Sequence, residues 1–237
     1  MEIRRFFAPV SARRGNSIFL SGEEFHHLTK VLRYKEGYKA IIYLNDGKEY
    51  HCTIKRINGS LAECEIDNII APEMKDLGIT LFCALLKGGK TEFVVQKAVE
   101  IGANAVIPFV SEYTTENKFS LERLNRIALE ACKQCGSPML TDIGELKTFD
   151  EVIKMFKDYD KVIFAYEKEK NLRLSQVDMS GGKIALVVGS EGGFSDREAN
   201  MAKEAGAIIV SLGERILRAE TASIAVLAAA SLRRGGM

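Results

Sequence analysis

The chain has no tryptophan and only three histidines in 237 residues, and those three, His26, His27 and His51, all fall near its start. From residue 52 onward it therefore holds neither a histidine-based metal site nor a Ser-His-Asp or Cys-His catalytic set of its own. Cysteine is sparse too. The five cysteines, at 52, 64, 83, 132 and 135, are an odd number with no framework spacing, which fits a reducing cytoplasm better than disulfides. Cys132 and Cys135 make one C-x-x-C in a helical context without a partner pair, so no metal is expected. No uninterrupted run of about 18 apolar residues occurs, and the opening MEIRRFFAPV lacks the apolar centre of a secretory signal. A cytoplasmic protein without a membrane partner is expected.

What is present is an ordinary globular composition, 46% hydrophobic, with 33 basic against 32 acidic residues. The net charge of +1 does not announce a nucleic-acid binder, but its distribution is uneven. Residues 1–35 carry seven Lys or Arg against three Glu, leaving 26 against 29 for the remainder. Such a basic end suits a phosphate-facing patch, and equally a solvated charged face.

Residues 1–71 read as short strands with turn punctuation: RRFF, SIFL, KAIIYL, an Asn-Asp-Gly turn, EYHCTIKRI, an Asn-Gly-Ser turn and LAECEIDNII. One helical segment, GEEFHHLTKVLR, places Phe25, Leu28 and Leu32 at helical spacing. The sum predicts a small β-barrel domain. APEMKDLG, residues 71–78, breaks both periods and is the expected linker. From residue 72 to 237 the rhythm changes. Apolar runs ITLFCALL, NAVIPFV, DKVIFAY, KIALVVG and AIIVSL alternate with helical segments near 90–101, 120–134, 148–157, 195–205 and 219–233. That alternation predicts an α/β domain with a largely parallel sheet covered on both faces.

Two loops carry the functional signal. After KIALVVG comes GSEGGFSDRE, in which Gly189, Gly192 and Gly193 let backbone amides approach a ligand, while Ser195 and Glu198 form an S-x-x-E capping box. Neither G-x-G-x-x-G nor G-x-x-x-x-G-K-[ST] is present, and Glu191 would repel a phosphate, so a neutral or cationic ligand fits better. After AIIVSL comes SLGERILRAETA, with Gly213 at a turn, Ile216 and Leu217 set between arginines, and Glu220 at a helix mouth. Sheets of this kind bind ligands beyond the carboxyl ends of adjacent strands, so both loops, with Tyr166 and Glu167 after DKVIFAY, are expected to meet in one crevice.

GSEGGFSDRE followed by SLGERILRAETA resembles the SPOUT-class RsmE family of 16S ribosomal RNA methyltransferases, which form N3-methyluridine with S-adenosylmethionine. The likeness runs through Arg4-Arg5-Phe6-Phe7, His26-His27 to Val31-Leu32-Arg33, and Gln96-Lys97-Ala98 with Glu100-Ile101-Gly102. It implies a PUA-like N-terminal barrel, a C-terminal trefoil knot, a homodimer with the active site at the interface, and 16S rRNA or the assembled small subunit as partner. It also implies that Ile216 and Leu217 wall the adenine, that backbone near Leu212 and Leu217 meets its polar edge, and that Gly189, Glu191 and Gly192 meet the ribose. Tyr166, Glu167, Gly193 and Gly213 complete the expected cofactor set. Arg218 is the expected stabiliser of charge on the uracil oxygens, with Glu220 taking the proton or, better suited to its helix mouth, orienting Arg218. Arg4, Arg5, Arg13, Arg14, His26, Lys30, Arg33, Lys87 and Lys90 are the RNA-facing candidates.

Three departures stand out. The family's G-P-E-G-G-F carries Ser190 for proline here, its S-E-R-S appears as Ser111-Glu112-Tyr113-Thr114, and the arginine expected after Gln134 is missing from QCGSPML. Two other functions stay open at this point: a SPOUT methyltransferase of a different RNA, and a non-catalytic RNA-binding or assembly factor.

Overall fold

The structure, a computed structural model, describes residues 3–237. The chain divides into two compact units. One runs through Met74 and also takes in Cys132–Leu140; the other comprises Lys75–Ala131 and Thr141–Met237. Residues 71–78 take neither helix nor strand.

The first unit is built from β1 (Arg4–Phe7), β2 (Arg13–Arg14), β3 (Ser17–Leu20), β4 (Lys39–Tyr43), β5 (Glu49–Asn58) and β6 (Leu61–Ile70), hydrogen-bonded in the order β1-β4-β5-β6-β3-β2. Only β1 and β4 run parallel. Alternation sends Tyr50, Cys52 and Ile54 of β5 and Ala62, Cys64 and Ile66 of β6 inward, onto Phe6, Ile18, Leu20 and Ile42. The register slips between His51 and Cys52 and again between Ile54 and Arg56, and such bulges bend and twist the long hairpin. The helical segment is α1 (Gly22–His26), continued by a π-helical turn, His27–Val31, which buries Leu28 completely.

The second unit contains β7 (Ile79–Ala84), α2 (Lys90–Ile101), β8 (Ala105–Val110), α3 (Leu121–Cys135, whose last turn groups with the first unit), β9 (Asp142–Ile143), β10 (Lys147–Thr148), α4 (Phe149–Met155), β11 (Lys161–Ala165), β12 (Ile184–Val188), α5 (Asp196–Glu204), β13 (Ile208–Val210) and α6 (Ala219–Arg233). The sheet is parallel in the order β10-β8-β7-β12-β11-β13, with β9 also on β8. β7 and β12 are buried at every residue, the pattern of central strands covered on both faces. On one face Phe82 and Ala84 pack with residues of α4 and α5; on the other, Cys83 meets Ser223 of α6. The last helix thus returns from the edge strand β13 to the middle of the sheet, where it packs on β7, β12 and α2. The expected α/β architecture with a β-rich N-terminal unit is observed.

Candidate active site

Three loops leave the carboxyl ends of β11, β12 and β13 and enclose a cavity of about 440 Å³, within the size range of cofactor pockets. Tyr166 and Glu167 come from the first loop, Gly189–Phe194 from the second and Ser211–Arg218 from the third; the strand ends Ala165 and Val188, with Lys90, Ala219 and Ala222, complete the lining.

The glycine loop is fixed from beneath by an aromatic cluster. The Phe194 ring lies 4.2 Å from that of Phe164 and stacks nearly parallel to Phe109. A Cβ on Gly189 would fall 2.9 Å from the Phe194 ring, so only glycine lets the backbone descend this far. One residue later the chain starts α5 through the foreseen capping box: Ser195 Oγ accepts from the Glu198 amide, and Glu198 Oε2 accepts from the Ser195 amide at 2.9 Å. Glu198 also accepts from the Glu112 amide at 2.8 Å, which ties the Ser111–Thr114 turn to the loop.

The third loop is held at its root, where the Gly213 amide donates to Ser211 Oγ and that hydroxyl donates to the Gly213 carbonyl. Beyond the root it opens, and Ile216 is 85% exposed. A bare isoleucine beside a cavity is an apolar surface that gains by covering a ligand.

Charge gathers on one wall. Lys90 Nζ stands 3.6 Å from Glu191 Oε1 and 3.4 Å from Glu220 Oε1, and the Lys87 amide donates to Glu191 at 3.1 Å. Glu220 Oε2 is buried and has no hydrogen-bond partner among the described residues; the same holds for Ser190 Oγ. At the rim, Tyr166 donates to Asp196 at 2.5 Å and Lys168 to the same oxygen at 2.8 Å. Lys168 first and Tyr166 second hold the Asp196 carboxyl below its usual range, while burial and then Asp196 push the Tyr166 hydroxyl up. Within β7, burial holds the Cys83 thiol at about 12, so it stays neutral.

Tyr166, Glu167, Gly189, Glu191, Gly192, Gly193, Leu212, Gly213, Ile216, Leu217 and Arg218 all line this one cavity. Two residues stand in surroundings the sequence did not announce. Glu220, expected to take the proton or to orient Arg218, has its ion pair with Lys90 among the described residues. Arg218 stands at the N-cap position of α6 with extended backbone and makes no ion pair among the described residues. Lys90, an RNA-facing candidate, lines the cavity. Its place directly after Gly88-Gly89, at the first turn of a helix, was the available signal.

In the first unit Arg4, Arg13, Arg14, His26, Lys30 and Arg33 are exposed, as is Lys87 in the second. Arg5 is turned inward, donating to the Lys133 carbonyl and lying against Gly136. His27 packs edge-on to Phe6. Among the described residues no cluster of three or more His, Cys, Asp or Glu suits a metal ion, and no helix is long and apolar enough to cross a membrane.

Residues 73–231 match the model of an RNA methyltransferase domain, and residues 20–67 that of an RNA methyltransferase PUA domain. Ribosomal RNA small subunit methyltransferase E of Bacillus subtilis (strain 168) is 31% identical over 97% of this chain and 96% of its own length. Among solved structures, the ribosomal RNA small subunit methyltransferase E of Neisseria gonorrhoeae bound to S-adenosyl methionine aligns with a TM-score of 0.85 at 29% identity, covering 96% of each chain. A putative methyltransferase of Legionella pneumophila in complex with the bound cofactor SAM aligns with a TM-score of 0.89 at 26% identity, covering 98% of each. The fold and the cavity are thus those of an RNA methyltransferase carrying a PUA domain. Within that class, the chain belongs to the ribosomal RNA small subunit methyltransferase E family, the RsmE family.

Proposed function

We propose that the protein transfers the methyl group of S-adenosylmethionine to N3 of a uridine in small-subunit ribosomal RNA, working in the cytoplasm as a homodimer. The observation that carries this reading is the convergence of three strand-end loops on one cavity lined by glycines, carboxylates and the bare Ile216. The residues fit the cofactor. Ile216 and Leu217 offer apolar walls for an adenine, backbone groups near Leu212 and Leu217 offer its polar edge partners, and Gly189, Glu191 and Gly192 bring the backbone close on the ribose side. Tyr166, Glu167, Gly193 and Gly213 shape the rim.

The bound cofactor supplies an electrophilic methyl on a sulfonium. The protein must make uridine N3 nucleophilic, because a neutral imide attacks poorly and its anion well. Arg218 lines the cavity, makes no ion pair among the described residues, and is the group that stabilises negative charge spreading onto the uracil oxygens. The exposed cations Arg4, Arg13, Arg14, Lys30, Arg33 and Lys87, with His26, hold the RNA backbone.

A homodimer is supported by Phe93 on α2 and Leu232 on α6, large apolar side chains left exposed on two helices that pack together. A C-terminal knot is part of the same reading, and the return of α6 from the sheet edge to its centre supports it. The test is mass-spectrometric mapping of N3-methyluridine in ribosomal RNA from cells with and without the gene. A methyl mark lost on deletion and restored by the protein is expected in small-subunit RNA. A mark at a different RNA, or no change at all, overturns the assignment.

A further inference from the structure

We propose that Lys90 receives the α-carboxylate of the methyl donor and so binds the amino-acid end of the cofactor, not an RNA phosphate. This rests on the donor reading above and goes beyond it by naming the group that holds one end of the ligand.

Three cations line the cavity, Lys90, Arg215 and Arg218, and among the described residues only Lys90 is anchored by ion pairs. Its base is rigid. Thr91 Oγ1 accepts from the Leu86 amide at 2.8 Å and donates to the Leu86 carbonyl, closing the loop that carries Gly88 and Gly89. Its head is not saturated. The separations of 3.4 and 3.6 Å to Glu220 and Glu191 exceed the roughly 2.7–2.9 Å of a closed charge-assisted hydrogen bond. An ammonium has three donors, and this one keeps a third of its side chain exposed.

The two carboxylates differ in exposure, 15% for Glu220 and 33% for Glu191. Glu220 holds Lys90 from below, and its buried, unpartnered Oε2 makes a nearby cation necessary. Glu191 is the open one, lining the cavity beside the ammonium. An α-amino acid is a zwitterion, and Lys90 with Glu191 presents its complement: a cation for the carboxylate, an anion for the ammonium. A phosphodiester brings no cation for Glu191 and would meet that carboxylate as a like charge.

The experiment is calorimetry on the full chain with two ligands, S-adenosylhomocysteine and 5′-methylthioadenosine, which shares the adenosine and the thioether but has no amino acid. Lys90→Met is expected to weaken the first by about tenfold or more and the second by less than twofold, with Lys90→Arg restoring most of the loss. Because the methionine variant strands Glu220, the double variant K90M/E220Q is measured beside it, with thermal melting to show that both are folded. The same ligand-selective loss is expected. Equal weakening of both ligands, or of neither, overturns the proposal. So does an intact affinity for S-adenosylhomocysteine combined with a salt slope of RNA binding reduced by about one, which would return Lys90 to the RNA surface. If the wild type binds neither compound the donor reading itself fails; if it binds both equally, only the role of Lys90 does.

Discussion

Gly192 shows how closely single residues constrain the cavity. A Cβ there would lie 2.7 Å from the Tyr113 Cβ and 3.2 Å from the Tyr113 carbonyl oxygen, backbone that cannot step aside cheaply. Gly192→Ala is therefore expected to lower stability by about 1–3 kcal/mol, read as a reduced melting temperature, and to weaken donor binding with it. Arg218 makes the opposite case, since it is exposed and unpaired among the described residues, so its loss should leave the fold alone. Arg218→Ala is expected to cut kcat by about a hundredfold while S-adenosylhomocysteine affinity stays within about threefold; an unchanged kcat would remove the side chain from the reaction. Residue identity alone gave both their place at the cavity. It did not give the partner of Glu220, because Lys90 is distant in sequence and reaches that carboxylate only through the fold.

At the level of elements, α5 is the clearest link between local sequence and site. Its S-x-x-E start was legible, yet Glu198 does more than cap: at 1% exposure it also takes the Glu112 amide, so one carboxylate fixes a helix end and a neighbouring turn. Glu198→Ala is expected to cost about 2–4 kcal/mol in urea unfolding, combining the missing cap with the lost partner of the Glu112 amide; a cost under about 1 kcal/mol would show that water replaces it. The five helices expected from periodicity, near 90–101, 120–134, 148–157, 195–205 and 219–233, agree closely with α2 to α6. The continuous apolar runs announced buried parallel strands for the same reason, since periodicity reports burial. It does not report neighbours. That β12 lies between β7 and β11, that two-residue strands β9 and β10 extend the sheet, and that Cys132–Leu140 groups with the first unit all depend on residues distant in sequence coming together. The π-helical turn at His27–Val31 was hidden because Leu28 and Leu32 suit an ordinary helix equally well.

For the molecule as a whole, RNA affinity and fold completion are separate matters with separate tests. Replacing Arg13 and Arg14 by Glu is expected to flatten the salt dependence of RNA binding by about one in slope for each phosphate no longer neutralised, leaving donor binding unchanged; an unaltered slope would mark them as solvated surface. Ending the chain at Arg218 removes α6 and uncovers the central strands β7 and β12, on which it packs. Loss of cooperative unfolding, followed by calorimetry, is the expected result. The same arrangement has a bearing on how the protein is made. A ribosome delivers the amino terminus first, so the segment that roofs the innermost strands emerges only after the strands it covers. Until α6 follows them out, those strands stay bare on one side, and assembly of the catalytic half has to wait for its arrival.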